Sequence, residues 1–580
     1  MANESGRGPD HGMGRVSNLI PILRWAPEYR QEWLRPDLIA GLAVAALVVP
    51  KSLGYADIAG VPIQHGLYAA AAGAIIYALF GTAKQISTGP SSALAAVAGS
   101  AVLLAGVSGE DAVALVAAIT IVTGILFLLL ALFKMGWISQ LLSKAVITGF
   151  LFGAAIEVVI GELPKLTGTS TEGTNAWQKL FDWLGTIPET DGSTLVLGLV
   201  SLAVVIGIRF SKTAVPGALV LVVGGLVVSI LFGFDERGIA LVGDVPRGLG
   251  GVALPSFDFV VDNLGVIGPA ALGLLLIGFS QTAGDAREFA SKHRYRIDIN
   301  QESVAQGMAN VGSGLLQGIP VSTSLSASSL NDQSGAKTPV ASITSGVLII
   351  LTLIFLAPLF SNLPKAVLAA LIIDAVVFGM MDVAEIKRLY RVAKVDFWIA
   401  IAAIGGVLAA GVLAGVLIGV ALSVGWLVYV SATPAMPVLG RKPGSQAFRS
   451  IEEYPDSETY PGVLVMRFDA GLHFGSSEAL EDRLRELSED ADPRLHLAVI
   501  DFEGVNFIDS QGSRTLSELL DLAKAYGAEI RLARVKPAVL ALLERDGVLE
   551  ELGEGKLFSD VFEAVMNDMG PEQRRSETAI

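Results

Sequence analysis

Thr88-Gly89-Pro90-Ser91-Ser92-Ala93 and Gly318-Ile319-Pro320-Val321-Ser322-Thr323-Ser324-Leu325-Ser326 describe the same event twice, about 230 residues apart. Each is a Gly/Pro break, then small hydroxylated residues, then a short helix inside an apolar region. A half-helix that starts at bilayer depth points its positive dipole end and unpaired N–H groups inward, which is how carriers built from internal repeats make an anion site. Either break alone reads equally as a Pro-kinked bundle helix with small residues for packing. Recurrence at matching places in two halves favours the anion site.

Composition agrees with a polytopic membrane region joined to a soluble one. Apolar residues are 52 % of the chain, charged residues 17 %, and the 64 glycines suit close helix packing. Mean hydropathy is +0.59. The long apolar runs lie in residues 36–432, whereas the last 125 or so residues are charge-rich. The segments expected are a cytoplasmic stretch 1–35, a transmembrane domain 36–432, a linker 433–460, a soluble domain 461–570 and a tail 571–580. The chain has no cysteine, which removes disulfides and thiolate chemistry. Its net charge of −15 argues against a nucleic-acid partner. Residues 1–35 hold no continuous apolar core, so no cleavable signal peptide is expected.

Fourteen spans are predicted, beginning near Asp37, Gly66, Pro90, Asp111, Ser143, Thr194, Ala214, Leu264, Gln301, Ser322, Pro339, Lys365, Asp396 and Gly411, with the third and tenth abnormally short. Charge supports the count. With the N-terminus inside, Arg24, Arg30, Arg35, Lys84, Lys134, Lys144, Arg209, Lys212, Arg287, Lys292, Arg294, Arg296, Lys337, Lys387, Arg388, Arg391, Lys394, Arg441 and Lys442 share one side. The long loops 161–193 and 233–263 on the other side carry no such excess. Fourteen divides into two sets of seven, and an odd number per repeat inverts the second. Both termini are therefore expected to be cytoplasmic, in the plasma or inner membrane.

Several segments resemble the SulP anion transporters, the sulfate permease family. They are Pro50-Lys51-Ser52-Leu53-Gly54-Tyr55-Ala56, Gly60-Val61-Pro62, Gly66-Leu67-Tyr68-Ala69-Ala70, Tyr77-Ala78-Leu79-Phe80-Gly81-Thr82, Ser87-Thr88-Gly89-Pro90, Gly161-Glu162-Leu163-Pro164-Lys165, Asn300-Gln301-Glu302, Gln317-Gly318-Ile319-Pro320-Val321 and Gly335-Ala336-Lys337-Thr338. As an ordered set they are specific, although no single one would suffice. The resemblance implies a fourteen-helix fold of core and gate domains, an anion held between the starts of the third and tenth helices, elevator-type alternating access, and a homodimer. Substrate-binding candidates are Lys51, Tyr55, Ser91, Ser92, Thr323, Ser324, Leu325 and Ser326.

The C-terminal region alternates strand and helix patterns. Strands are predicted at 463–468, 497–502 and 529–533, and helices at 477–488, 510–525 and from Pro537. Together with Arg467-Phe468-Asp469-Ala470 and Asp509-Ser510-Gln511-Gly512, this α/β pattern resembles a STAS domain, a module with a possible cytoplasmic partner. The resemblance implies a phosphoswitch at the third position of the Asp-Ser-Ser-Gly loop, but that position is Gln511 here, so the switch is chemically excluded. Ser510 is the remaining regulatory candidate, against a plainer role as helix N-cap.

Three departures bear on the site. Many relatives carry Gln where this chain has Lys51, which lies about 14 residues beyond Asp37 and hence roughly 20 Å along a helix, too deep to snorkel back. Many relatives also carry Arg in the tenth helix where this chain reads Ser326-Ala327-Ser328, so Lys51 is expected to supply the lost positive charge from across the site, or else to pair with a core carboxylate. The acidic residue linked in the family to coupling aligns with Gln281. Asp285 is one turn later, and is either its replacement or a partner of Arg287. Glu157 and Asp374 are further intramembrane carboxylates of open role.

Other classes fit less well. No Gly-x-x-x-x-Gly-Lys-Ser/Thr loop is present for ATP, and the five histidines show no ligand-like spacing in an apolar span. No cofactor is expected beyond a coupling H+ or Na+. Secondary active transport of a small anion, sulfate or bicarbonate first and a dicarboxylate next, stands against a channel, an exchanger or a STAS-coupled anion sensor.

Overall fold

The computed structural model describes residues 20–135, 143–171, 173, 175–211, 216–489, 491 and 493–568. Lys212, the Ala214 span start, the tail 571–580 and most of the segment 1–35 lie outside these residues. The chain forms two compact units, divided between Ser423 and Val424.

Helices stand at or near the predicted span starts that fall within the described residues. They are α1 (Gln31–Ile58), α2 (Gln64–Phe80), α3 (Ser92–Ala105), α4 (Gly109–Leu132), α5 (Lys144–Thr167), α6 (Gly192–Phe210), α7 (Gly217–Phe232), α8 (Leu264–His293), α9 (Ile299–Leu315), α10 (Leu325–Gln333), α11 (Val340–Phe355), α12 (Lys365–Met380), α13 (Lys394–Ala410) and α14 (Val412–Ala432). Among the described residues, seven helices are long and apolar enough by themselves to cross a membrane, α1, α4, α5, α6, α8, α14 and the helical run from Lys365 to Val392. The remainder are short, polar or broken, as expected where neighbours rather than lipid satisfy the backbone.

The packing repeats with an offset of seven helices. α1 lies on α11 as α8 lies on α4, α2 on α11 as α9 on α4, α3 on α8 as α10 on α1, and α5 on α13 as α12 on α6. This is the contact pattern of inverted repeats, with a core built from α1–α4 and α8–α11 and a gate built from α5–α7 and α12–α14. Small residues make the closest crossings. A Cβ on Gly124 of α4 would sit 2.7 Å from the Gly307 carbonyl of α9, and a Cβ on Gly307 would sit 2.9 Å from the Gly124 carbonyl. Only glycine at both positions lets these backbones touch.

The two Gly/Pro breaks meet. Residues Thr88–Pro90 (β1) and Val321–Thr323 (β2) pair antiparallel, with Thr88 opposite Thr323 and Pro90 opposite Val321. Sequence reasoning found the helix starts but not this ladder. Backbone groups left over by the breaks are taken up by buried polar side chains, as the low-dielectric interior requires. Asn310 of α9 acts as a substitute strand, donating Nδ2 to the Val321 carbonyl and accepting the Val321 N–H, both at 3.0 Å. Gln306 adds a bond to the same carbonyl at 2.6 Å. Ser342 and Asn331 donate to the carbonyls of Ile86 (2.9 Å) and Gln85 (3.0 Å).

Two carboxylates fasten distant motifs. Asp37, fully buried near the start of α1, accepts from the N–H groups of Lys337 (2.7 Å) and Thr338 (3.1 Å) and from the Thr338 hydroxyl (2.7 Å). Glu302 accepts from the N–H groups of Thr82 (2.7 Å) and Ala83 (3.1 Å) and from the hydroxyls of Thr82 and Tyr77.

The second unit is an α/β domain. A hairpin, β3 (Leu439–Arg441) with β4 (Phe448–Ser450), precedes a parallel sheet in the order β5 (Val463–Arg467), β6 (Leu497–Asp501), β7 (Glu529–Ala533), β8 (Leu557–Phe558). Helices α15 (Ser477–Glu489), α16 (Ser510–Ala525) and α17 (Pro537–Arg545) connect the strands, and Phe468, Phe502, Leu516 and Leu532 lie in its core. The short strand β8 goes beyond the three strands predicted. Asp509, not Ser510, caps α16: its carboxylate accepts from the N–H groups of Gly512 (2.8 Å) and Phe474 (3.0 Å), which outweigh burial and hold it below its ordinary value. Ser510 is exposed at the first helical position, and Gln511 beside it is exposed as well.

Candidate anion site

α3 and α10 start from opposite ends of the β1–β2 ladder, so their positive ends converge. Ser91 caps α3 by accepting the Leu94 N–H at 3.3 Å, and Ser324 caps α10 by accepting the Ala327 N–H at 3.4 Å. The Ser324 N–H is itself committed, donating to the Ser87 carbonyl at 3.0 Å. Ser324 therefore offers its hydroxyl rather than its amide to a ligand. Ser324 Oγ and Ser326 Oγ stand 3.3 Å apart.

α1 faces these starts across a small cavity of about 20 Å3, lined by Lys51, Tyr55, Gly89, Ser324, Ser326 and Ala327 among others. Lys51 Nζ lies 3.5 Å from Ser326 Oγ, which places the lysine across from the tenth helix. Asp374, the carboxylate that could have claimed Lys51, is instead held by Arg209 in a two-pronged pair, Nε to Oδ1 at 2.8 Å and Nη2 to Oδ2 at 2.6 Å. Arg209 also sits 4.5 Å above the Phe378 ring. Tyr55 lines the same cavity one turn of α1 beyond Lys51. Leu325 and Ser326 are exposed at the start of α10, whereas Thr323 is buried and turned away from the cavity.

Thr323 faces α8. Its Oγ1 donates to Asp285 Oδ2 at 2.7 Å, and the neighbouring Ser322 Oγ donates to Gln281 Oε1 at 2.7 Å. Asp285 thus bonds to the second break and not to Arg287. Ser322 also lies 3.5 Å from Ser91 Oγ and so links the two helix starts. Ser322, Gln306 and Asn310 were missed as contributors. The hydroxyl run contained Ser322, but nothing in the sequence separated residues facing the ligand from residues bracing the strand.

Comparison with known proteins follows the same line. Residues 34–403 match the sulfate permease family and residues 454–564 match the STAS domain. A "Probable sulfate transporter" of Mycobacterium tuberculosis is 32 % identical, covering 94 % of this chain and 99 % of the relative. The chloroplastic sulfate transporter 4.1 of Arabidopsis thaliana is 30 % identical, covering 95 % and 82 %. Among solved structures, the murine Solute Carrier 26 family member A9 anion transporter in the inward-facing state superposes with a TM-score of 0.87 at 22 % identity, covering 97 % of this chain and 96 % of that one. The transmembrane domain of a cyanobacterium bicarbonate transporter gives 0.58 at 22 % identity, over 68 % of this chain and 98 % of that one. The chain belongs to the sulfate permease family, with a C-terminal STAS domain.

Proposed function

We propose that this protein is a secondary active transporter of a small inorganic anion, sulfate or bicarbonate, which binds between the starts of α3 and α10 and is carried by elevator-type movement of the core against the gate. The observation that carries the reading is the convergence of two capped helix starts on one short ladder, with Lys51 facing them from α1. Family membership and fold support anion transport. A cavity of about 20 Å3 has room for one water, so a sulfate enters only when α1 and α10 part. That requirement supports a conformational cycle rather than a fixed pore.

Asp285 is the coupling residue in this reading, because its bond to Thr323 connects it directly to the second break. The topology is fourteen spans with both termini cytoplasmic, the carrier is a homodimer, and the STAS domain is its regulatory module, with Ser510 as the exposed candidate for modification. The deciding assay is flux into proteoliposomes of sulfate, bicarbonate, chloride and a dicarboxylate in parallel, with and without imposed pH or Na+ gradients. Accumulation against a gradient supports the carrier. Flux that only equilibrates supports a channel, and binding without flux supports a sensor. Uptake driven equally by a gradient in wild type and Asp285→Asn would remove Asp285 from coupling.

A further inference from the structure

A second charged cavity, of about 210 Å3, lies between α1, α3 and α5. Its charged lining is Asp57 from α1, Glu157, Glu162 and Lys165 from α5, and Lys179 from the helix Ala176–Thr186. Lys165 binds Asp57 and also reaches Glu162 Oε1 at 2.9 Å, so one ammonium serves two carboxylates. Glu157 is only 8 % exposed, and neither its Oε2 nor that of Glu162 has a hydrogen-bond partner among the described residues. Fully ionised, three carboxylates face two ammonium groups, leaving one negative charge unbalanced around the buried Glu157. Asp244 and Lys365 line an adjoining cavity of about 160 Å3 that shares Asp57 and Lys165, and as an opposite pair they leave that surplus unchanged. α12 and α13, which also pack on α5, bring no charged side chain to the 210 Å3 cavity.

We propose that Glu157 is an external proton acceptor that regulates transport through the contact between α1 and α5. This rests on the transport reading above and on its topology, in which the loop 168–191 beside the cavity is external. A proton from external water adds to Glu157 Oε2, converting carboxylate to carboxylic acid and cancelling the surplus charge. It returns to the same water when the cavity opens. The buried Glu157 Oε2, without a hydrogen-bond partner among the described residues, is a single acceptor atom, which one proton satisfies. The link to transport is α1 itself, because Asp57 lies six residues, about 9 Å along the helix, beyond Lys51 at the anion cavity. α1 belongs to the core and α5 to the gate, so a cavity shared between them must change as one moves past the other.

The test is anion exchange in proteoliposomes with external pH varied between about 5 and 8 and internal pH matched to it, so that no pH gradient drives uptake through Asp285. Wild type is expected to change by about tenfold across that range. Glu157→Gln mimics the protonated carboxyl, so it should be insensitive to external pH and fixed at the wild-type low-pH level. Asp285→Asn should keep the external response. Glu162→Gln removes the same surplus charge and should also flatten it, which serves if Glu157→Gln does not assemble. A Glu157→Gln protein that follows external pH as wild type does, or a wild type that ignores it, overturns the proposal. A wild-type response to external Na+ at constant pH overturns the assignment to a proton. No anion flux in wild type under any condition would overturn the transport reading itself, and this inference with it.

Discussion

Replacing Lys51 with glutamine removes the cation that faces the helix starts from α1 while keeping a side chain of similar reach. An anion that accepts a hydrogen bond from the Ser326 hydroxyl sits about 2.8 Å beyond that oxygen. Since Ser326 Oγ is 3.5 Å from Lys51 Nζ, the ion lies roughly 5 Å from the ammonium. At an effective dielectric of about 20 this is about 3 kcal/mol per unit of anion charge. That energy corresponds to roughly a hundredfold in Kd for a monovalent anion and more for sulfate. Asp374 does not offset it, because Arg209 neutralises that carboxylate. Equilibrium binding of labelled sulfate and of chloride to purified protein should show the loss, with thermal unfolding confirming that the variant is folded. Adding Ala327→Arg, on the α10 side of the same cavity, should recover part of the affinity. Kd values within threefold of wild type in folded Lys51→Gln would refute the electrostatic argument and make the lysine structural.

Other outcomes follow from the topology and the second unit. Because the chain lacks cysteine, Thr171→Cys should react with an impermeant thiol reagent from outside and Lys292→Cys only after permeabilisation, and reaction of both from one side would sink the fourteen-span topology. Truncation after Met436 removes the α/β unit and should leave anion affinity within threefold, so a folded membrane unit with no binding would show that the STAS domain is needed for the site. Asp509→Ala should destabilise the α/β unit by about 1–2 kcal/mol at neutral pH through the lost cap. The Asp509 carboxylate is held below its ordinary value of 3.8, so its stabilisation is present above that pH and lost as pH falls through the lower folded value. The difference between wild type and Asp509→Ala in denaturant melts should therefore persist from neutrality to about pH 4 and shrink below it. A constant difference down to about pH 2 would exclude the carboxylate as its source.

The helix order could be read from the sequence because apolar length and Gly/Pro breaks are local signals, and α3 and α10 begin where those breaks fall. What the breaks do to each other was not legible. Three residues including Pro90 carry no strand periodicity, so the pairing of Thr88 with Thr323 emerges only when α9 and α11 supply Asn310 and Ser342. Carboxylates show the same limit. Asp37, Glu157, Glu302 and Asp374 look alike in sequence as acids in or beside apolar segments. One fastens the Lys337–Thr338 turn, one ties α9 to the end of α2, one pairs with Arg209, and only Glu157 faces a cavity without a bond. Partner identity is a long-range property, and no window along the chain contains it. Ser510 failed as a cap for a smaller reason. Asp509, one residue earlier, has the extended backbone that a cap requires.

The ladder also imposes an order on biosynthesis. Thr88 emerges from the ribosome with its partner Thr323 still 235 residues away. At about 5–20 residues per second, that interval is roughly 12–47 s. Throughout it the first break has neither β2 nor the side chains of Asn331 and Ser342 that later cover Gln85 and Ile86. A half-made chain in the bilayer therefore carries uncovered amides and carbonyls, each costing several kcal/mol in hydrocarbon. The nascent protein must keep that segment in water, inside the insertion machinery or against an assisting protein until the second repeat arrives. Ribosome stalling before residue 320 should consequently produce a species that quality-control proteases find, even though every apolar helix of its first half is already in place.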